Sequence, residues 1–307
     1  MEKLKQMLIS FLLLASLLIS GCQQQTSQAT LGTKGIEITG KMLNQNPYTT
    51  SSNINFELIL DIINYGSSDV SAEDLYITYS GYDPSLFNLN EQNSLYSRDD
   101  VLYGRESSDQ LPDSYSIAVD GSINLPFLSR DQDFEYSMNL FVKYCYKYTT
   151  ELSTIVCIDP SQGESNGCKM QRLSFSGGQG APVEFREVLP VVTPNELGFQ
   201  VFVRNAGKGI PFPEKFFGFS HLQQCSFLNS ENKDAYRLTV RATFEGKTIE
   251  CSPRNAKVDS QGTYVFCSFG EPVQNDGPYS GLLTLTVDYI YVDSTSIPIK
   301  ATFLKES

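Results

Sequence analysis

Two copies of one alternating pattern constrain the fold of this chain more than any other feature of its sequence. The pattern L-x-V-x-Y-x-Y begins at Leu140 and returns at Leu285. Because side chains alternate between the two faces of a strand, this period places the four named residues of each copy on one face. We therefore expect two extended strands, each with one apolar, tyrosine-rich face.

A second repeated motif lies upstream of each copy. The motif N-x-G follows an apolar strand pattern at Asn64 and again at Asn205. The spacing from this Asn to the first Tyr of the later pattern is about 80 residues in one copy and about 84 in the other. A near-constant spacing marks a repeated unit, so the sequence predicts two copies of one β-domain.

The first residues have the pattern of an export signal. Lys3 and Lys5 precede a continuous apolar run over residues 7–19. This run is too short to span a bilayer, which needs about 20 residues. Residues 1–21 are therefore interpreted as a secretory signal peptide rather than as a transmembrane helix.

The residues around Cys22 carry a further prediction. Ile19-Ser20-Gly21-Cys22 resembles the lipobox of bacterial and archaeal lipoproteins. That resemblance implies that Cys22 is lipidated and becomes the mature N-terminus, whereas ordinary cleavage would leave it as a spare thiol. Residues 22–30 are polar and low in complexity, and are interpreted as a lipid-anchored flexible tether. The expected location is the outer face of the cytoplasmic membrane or the cell surface.

Composition excludes some functions and favours an all-β fold. The net charge of −12 disfavours nucleic acid as a partner, and no run of Lys or Arg offsets it. The S-G-G-Q sequence at Ser176 lacks an accompanying phosphate-binding loop, so nucleotide binding is not expected. No long apolar pattern of helical period occurs after residue 19.

Strand and turn signals predict two tandem immunoglobulin-like antiparallel β-sandwich domains. The first spans residues 31–175, the second 183–307, and a Gly- and Pro-containing hinge at 176–182 joins them. Each long tyrosine pattern is expected to belong to a hairpin. The predicted turns lie at 147–151 and at 293–295.

The first predicted domain contains an irregular segment, residues 85–121, rich in Asn, Ser, Asp and Tyr. Loops of this length are uncommon in compact domains and are usually functional or disordered. The segment is therefore either a binding surface or a poorly ordered insertion.

Cysteine usage favours disulfide bonds. Apart from Cys22 there are six cysteines, an even number in an exported chain, and the single His makes a zinc site improbable. The best pair is Cys251 with Cys267. The remaining four allow Cys145–Cys157 with Cys168–Cys225, or a loop closed by Cys157 and Cys168. Each predicted domain holds three cysteines, so complete pairing requires one bridge between the domains.

Two groups of residues are candidate binding sites. Asp131, Asp133 and Glu135 alternate at a strand start and could supply oxygen ligands to calcium, although a solvated acidic strand end has the same pattern. The other group is aromatic, and if exposed it would suit a protein partner, whereas a core role has the same pattern. Its members are Phe212, Phe216, Phe217 and Phe219.

No residue constellation indicates an enzyme. The only imidazole is His221, and no G-x-S-x-G motif accompanies it for nucleophilic catalysis. We therefore expect no catalytic residues and no cofactor, with calcium as the one possible exception. A secreted hydrolase is the least favoured alternative.

One family resemblance can be named from these residues. The N-x-G element followed by the later strand pair resembles the CARDB-type immunoglobulin-like modules of bacterial and archaeal surface proteins. The stretch from Cys145 to Pro160, then Cys168 and G-G-Q-G-A-P-V, is similar to uncharacterised tandem-domain proteins of small-genome archaea. The resemblance implies a surface role in adhesion or assembly and supplies no catalytic residue. The leading expectation is a scaffold that holds an envelope or surface protein, and the alternative is a calcium- or carbohydrate-dependent adhesin.

Overall fold

The computed structural model describes residues 31–44, 48–49, 53–89, 101–125, 132–160, 167–193, 196–213, 215, 225, 227–270 and 277–305. Strands in antiparallel sheets make up 64% of these residues and helix only 3%, which confirms the predicted all-β sandwich fold. A short 3-10 helix spans Ala72–Asp74. The strands are β1 (Ile36–Asn44), β2 (Tyr48–Thr49), β3 (Asn53–Asn64), β4 (Val70–Ser71), β5 (Leu75–Ser80), β6 (Phe87–Leu89), β7 (Val101–Leu102), β8 (Asp113–Asn124), β9 (Phe134–Ile158), β10 (Leu173–Ser174), β11 (Val183–Thr193), β12 (Glu196–Asn205), β13 (Ile210–Pro213), β14 (Arg237–Leu238), β15 (Arg241–Phe244), β16 (Lys247–Ser252), β17 (Ala256–Lys257), β18 (Thr263–Ser268) and β19 (Tyr279–Phe303).

The two tyrosine patterns lie on two strands of 25 residues, β9 and β19. These strands pair antiparallel along their whole length, with Phe134 opposite Phe303 and Ile158 opposite Tyr279. The predicted hairpin turns at 147–151 and 293–295 are therefore wrong. Neither segment contains Gly or Pro, and Tyr and Thr residues within them favour a continuous strand.

Two sets of strands pack against this long strand pair: a separate four-stranded sheet, and strands that continue through β16 and β15 into the same 11-stranded sheet as β19 and β9. The four-stranded sheet has the order β1-β3-β8-β6. Its β1 packs on the C-terminal part of β19, where the backbone at Gly40 lies against Ile297. The other covering strands are β10, β11, β12 and β18, and they pack over the opposite end. There Phe199 of β12 contacts Phe244 of β15 with ring centroids 5.2 Å apart, and Phe244 lies 6.4 Å from the ring of Tyr279 on β19.

Both halves of the sequence, residues 31–175 and residues 183–307, therefore pack on each long strand. One hydrophobic cluster runs through the described residues from Ile36 to Phe303 without a break between the halves. Tyr146, Tyr148, Tyr289 and Tyr291 are its largest fully buried side chains by residue volume. The segments 31–175 and 183–307 therefore share one core, and their division into two domains stays a prediction.

The connection predicted as a hinge, residues 176–182, is packed against both halves. The carbonyl of Gly180 accepts a hydrogen bond of 3.0 Å from the Tyr148 hydroxyl. The buried Gln179 side chain donates to the Phe185 carbonyl at 3.1 Å and accepts from the Phe185 N–H at 2.9 Å. The Gly and Pro residues of this connection allow its backbone to turn tightly between the two halves, so the connection is packed and is not a free linker.

The irregular segment predicted over 85–121 is shorter than expected. Strand β8 begins at Asp113 and pairs with β3 along its full length. Its apolar positions, including Ile117 and Val119, alternate with Ser and Asp residues that face solvent. The high polar content masked this alternation in the sequence. The core of the predicted loop, residues 90–100, lies outside the described residues.

Three disulfide bonds form in the structure. Cys251–Cys267 is confirmed and joins the neighbouring strands β16 and β18. The other bonds are Cys157–Cys168 and Cys145–Cys225, so the proposed pairs Cys145–Cys157 and Cys168–Cys225 are wrong. Cys145 and Cys157 lie on one continuous strand, where their separation is about 40 Å at 3.3 Å per residue. The required bridge between the halves is Cys145–Cys225.

Candidate functional site: two open strand edges and their clefts

The N-x-G motif of the first half contacts Tyr148, two residues beyond the end of the tyrosine pattern at Tyr146. The Asn64 side chain donates to the Ser68 carbonyl at 2.8 Å and accepts from the Gly66 N–H at 3.1 Å. The Tyr148 hydroxyl accepts from the Ser68 N–H at 3.2 Å. Glycine is required at 66 because a Cβ there would overlap the Tyr148 hydroxyl.

The second half repeats this arrangement. Asn205 donates to the Gly209 carbonyl at 2.8 Å, and the Tyr291 hydroxyl donates to Asn205 at 3.1 Å while it accepts from the Gly209 N–H at 2.8 Å. Tyr291 therefore corresponds in space to Tyr148, whereas the sequence pattern aligns it with Tyr146. Burial raises the pKa of Tyr146 and of its neighbour Tyr289 well above the ordinary value, so both hydroxyls stay neutral. This centre stabilises the fold and is closed to a partner.

Open strand edges lie on both sides of this centre. Strand β5 pairs with residues 141–146 of β9, and no described strand pairs beside residues 151–158 on that side. Strand β19 is paired at 283–286, 289–292 and 302–303, which leaves 293–301 without a described strand on the same side. We call these stretches the β9 edge, residues 151–158, and the β19 edge, residues 293–301.

The two edges differ in how they are protected against pairing with another chain. The β19 edge contains Pro298, which has no N–H to donate, and the exposed Lys300. The β9 edge contains neither Pro nor Lys, and Glu151 is its one charged residue. Within this edge, Ile155 is 61% exposed, and it lies opposite Leu282 of β19, which is 49% exposed. The β9 edge is thus the one suited to accept a further strand.

A cleft accompanies each edge. A cleft of about 390 Å³ lies beside the β9 edge, with exposed carboxylates at Glu106 and Glu151. Its other lining residues are Leu31, Ser67, Arg105, Ser153, Gly178 and Gln179. A cleft of about 310 Å³ lies beside the β19 edge, between that edge and residues 33–39. Its polar lining includes Lys34, Glu37, Lys208 and Asp293.

Asp293 is a carboxylic acid in the second cleft whose pKa is raised above its ordinary value. Burial is the main cause, and the negative charge of Glu37 adds to it. The backbone N–H of Ser294, which donates at 2.8 Å, opposes the shift, as do the positive charge of Lys208 and the Tyr144 hydroxyl. Ionised Asp293 therefore costs folding stability at neutral pH.

Asp293→Asn is expected to raise the melting temperature at pH 7. Since the folded pKa exceeds the unfolded one, the contribution of Asp293 to stability is fully present below about pH 3.9 and is lost as pH rises through the folded pKa. The advantage of the variant should consequently shrink as pH falls. Thermal melts of both proteins between pH 3.5 and 7.5 measure this difference, and an advantage independent of pH would contradict it.

The other predicted site residues do not form a site in the described part of the chain. Phe212 is fully buried against Cys145 and Cys225, so its prediction as a partner-binding residue is wrong: an apolar ring beside the disulfide fills the core. Asp133 accepts from the Lys305 N–H at 2.8 Å, and Glu135 is exposed. Among the residues described, no group of three or more His, Cys, Asp or Glu side chains is placed to hold a metal ion. Several predicted residues lie outside the described ranges, namely Cys22, Asp131, Phe216, Phe217, Phe219 and His221.

The β9 edge was missed because the sequence interpretation placed a turn at 147–151. The run of Thr, Leu, Ile and Val from Thr149 to Ile158, without Gly or Pro, indicates a continuous strand there, but it does not show that the edge of this strand is open. In the parts of the chain described above, no helix has the length and apolar character needed to cross a membrane.

Comparisons with known proteins identify no family. No family model matches the chain, and no curated protein matches it. A conserved protein of unknown function from Pseudomonas aeruginosa PAO1 is a weak structural match, with a TM-score of 0.12 and 9% identity. The match covers 85% of this chain and 99% of that one.

Proposed function

We propose that this chain is a non-catalytic protein-binding or scaffolding module of a cell-envelope assembly. It is exported, anchored to the membrane through a lipid on Cys22, and built from two immunoglobulin-like sandwiches of the CARDB type that share their long strands. The observation that carries the proposal is the unprotected β9 edge.

An open edge binds an extended segment through backbone hydrogen bonds. Each added residue pairs with the row of N–H and C=O groups along the strand, and neighbouring side chains give specificity. Along the β9 edge, Ile155 and Leu282 form an exposed apolar pair at the end of the long strand pair. A partner strand could cover part of this apolar surface while it extends the sheet.

The disulfides support the location. Three bonds join Cys145–Cys225, Cys157–Cys168 and Cys251–Cys267, and such bonds persist in oxidising compartments outside the cytoplasm. Three buried polar side chains form hydrogen bonds within the fold, which suits a scaffold. Asn64, Asn205 and Thr150 each donate to a backbone carbonyl.

Ile155→Lys is expected to reduce partner capture about tenfold or more, because a lysine at an open edge opposes strand addition. The measurement is cross-linking on intact cells that express the chain, followed by quantitative mass spectrometry of the proteins joined to it. Leu111→Lys is the matched control, since Leu111 is 86% exposed and belongs neither to the β9 edge nor to the lining of its cleft. Equal yields of the same cross-linked protein from Ile155→Lys and wild type would reject the β9 edge as the binding site.

A further inference from the structure

We infer that the segment bound at the β9 edge is an extended peptide with a basic side chain, which enters the cleft between Glu106 and Glu151. This inference rests on the proposed function and specifies the chemistry of the partner. The cleft adjoins the β9 edge and is lined by carboxylates, whereas the cleft beside the β19 edge contains both cations and carboxylates.

The cleft is placed to receive a side chain from an added strand. Glu151 and Ser153 line it and also belong to the β9 edge. A strand added to this edge would lie about 4.8 Å from β9, and its side chains would alternate between the core side and the solvent side. A residue of the added strand opposite Glu151 or Ser153 on the solvent side therefore reaches the cleft.

The charges that face the cleft favour a cation. Glu106 and Glu151 are both exposed carboxylates. The one cationic side chain in the lining, Arg105, is turned to the backbone: its Nε donates to the Tyr65 carbonyl at 2.8 Å, and its guanidinium also donates to the Leu31 carbonyl at 2.8 Å. An incoming Lys or Arg would meet carboxylates that no cation of the cleft lining pairs with.

The acidic character continues beside the cleft. An adjoining cleft of about 660 Å³ shares Ser67 and Glu106 with it and adds the exposed Asp69. The Asp69 carboxylate accepts a hydrogen bond of 2.7 Å from the Gly104 N–H, which fixes its position. The net charge of −12 on the whole chain also attracts a basic segment over longer distances.

The β19 edge lacks this preference. In the cleft beside it Lys34 pairs with Glu37 at 2.8 Å, and Lys208 accompanies Asp293. Two cations thus balance two carboxylates there, and Lys300 adds positive charge along the edge itself. A basic segment is therefore directed to the β9 edge and away from the β19 edge.

Synthetic peptides of about eight residues, the length of the β9 edge, test the inference. They carry alternating Thr and Val with Lys, Gln or Glu at one central position, and fluorescence anisotropy measures their binding to the full disulfide-bonded chain in detergent. We expect the Lys peptide to bind about tenfold more tightly than the Glu peptide, because attraction replaces repulsion across the strands. Raising the salt concentration should reduce the difference in affinity between the Lys and Glu peptides, because salt screens the charges.

Charge-neutral variants locate the preference. The double substitution Glu106→Gln and Glu151→Gln should reduce the ratio between Lys and Glu peptides to about threefold or less, whereas Glu37→Gln in the other cleft should leave it unchanged. If the double substitution leaves the ratio between Lys-peptide and Glu-peptide affinity unchanged, the inference is overturned. Equal binding of all three peptides, lost with Ile155→Lys, would overturn the inference and leave the proposed function standing. No binding of any peptide, together with unchanged cross-linking by Ile155→Lys, would overturn both.

Discussion

Tyr289→Ala is expected to lower the free energy of unfolding by about 3–5 kcal/mol, the cost of deleting a fully buried aromatic ring. The Tyr289 ring lies 6.2 Å from the ring of Tyr148 and 6.2 Å from that of Tyr291. Its hydroxyl lies 3.0 Å from the Thr150 hydroxyl, so the substitution also removes a buried hydrogen bond. Denaturant titration of the oxidised protein measures the change.

The loss of stability should reach both halves of the sequence, because β9 and β19 share one hydrophobic cluster with strands of both halves. Hydrogen exchange should accelerate together in β3 of the first half and in β12 of the second. Leu111→Ala serves as the control, since this exposed side chain should change stability by less than about 0.5 kcal/mol. Faster exchange in β12 with unchanged protection of β3 would show that the halves unfold separately.

Replacing both Cys145 and Cys225 by Ala is expected to destabilise the protein by about 4.5 kcal/mol. The sequence separation of this disulfide is 80, so its removal frees a long loop in the unfolded chain. It also joins β9 to the small cluster that contains Phe212 and Val292. Denaturant titration of the variant without reductant measures the loss.

The comparison variant removes Cys157 and Cys168, whose sequence separation is 11. The shorter loop predicts a smaller loss, about 3 kcal/mol. A peptide map of the unreduced wild type checks the pairing itself. A bridge between Cys145 and Cys157, or a larger loss from the short loop than from the long one, would contradict the structure.

The sequence was sufficient to predict the all-β class because alternation at period two is a local property. Leu140, Val142 and Tyr144 share one buried face, as their spacing requires. The near-constant spacing between N-x-G and the tyrosine pattern was visible as well. The spacing of the motifs could not show, however, that Asn64 contacts Tyr148, since register depends on close packing at Gly66.

The open edges could not be predicted from the sequence. Whether residues 151–158 have a neighbour depends on strands far away in the chain, in particular on β5 ending its pairing at Tyr146. The turn wrongly predicted at 147–151 has the same cause. Polar Thr and Lys residues resemble a turn when their partner strand is unknown, and here Thr149 instead bonds to Asp288 of β19. The site was therefore accessible only after the strand pairing was known.

The contacts of Leu31 and Gly32 define a path for mechanical load. Gly32 exchanges backbone hydrogen bonds of 2.8 and 2.9 Å with Gly177 and Gly180, and Leu31 lines the same cleft as Glu151. Tension between Leu31 and a strand held at the β9 edge would pass through this junction and through the hydrogen bond from Arg105 to the Leu31 carbonyl. Such a pull would also load the buried tyrosines, because the Tyr148 hydroxyl donates to the Gly180 carbonyl at 3.0 Å.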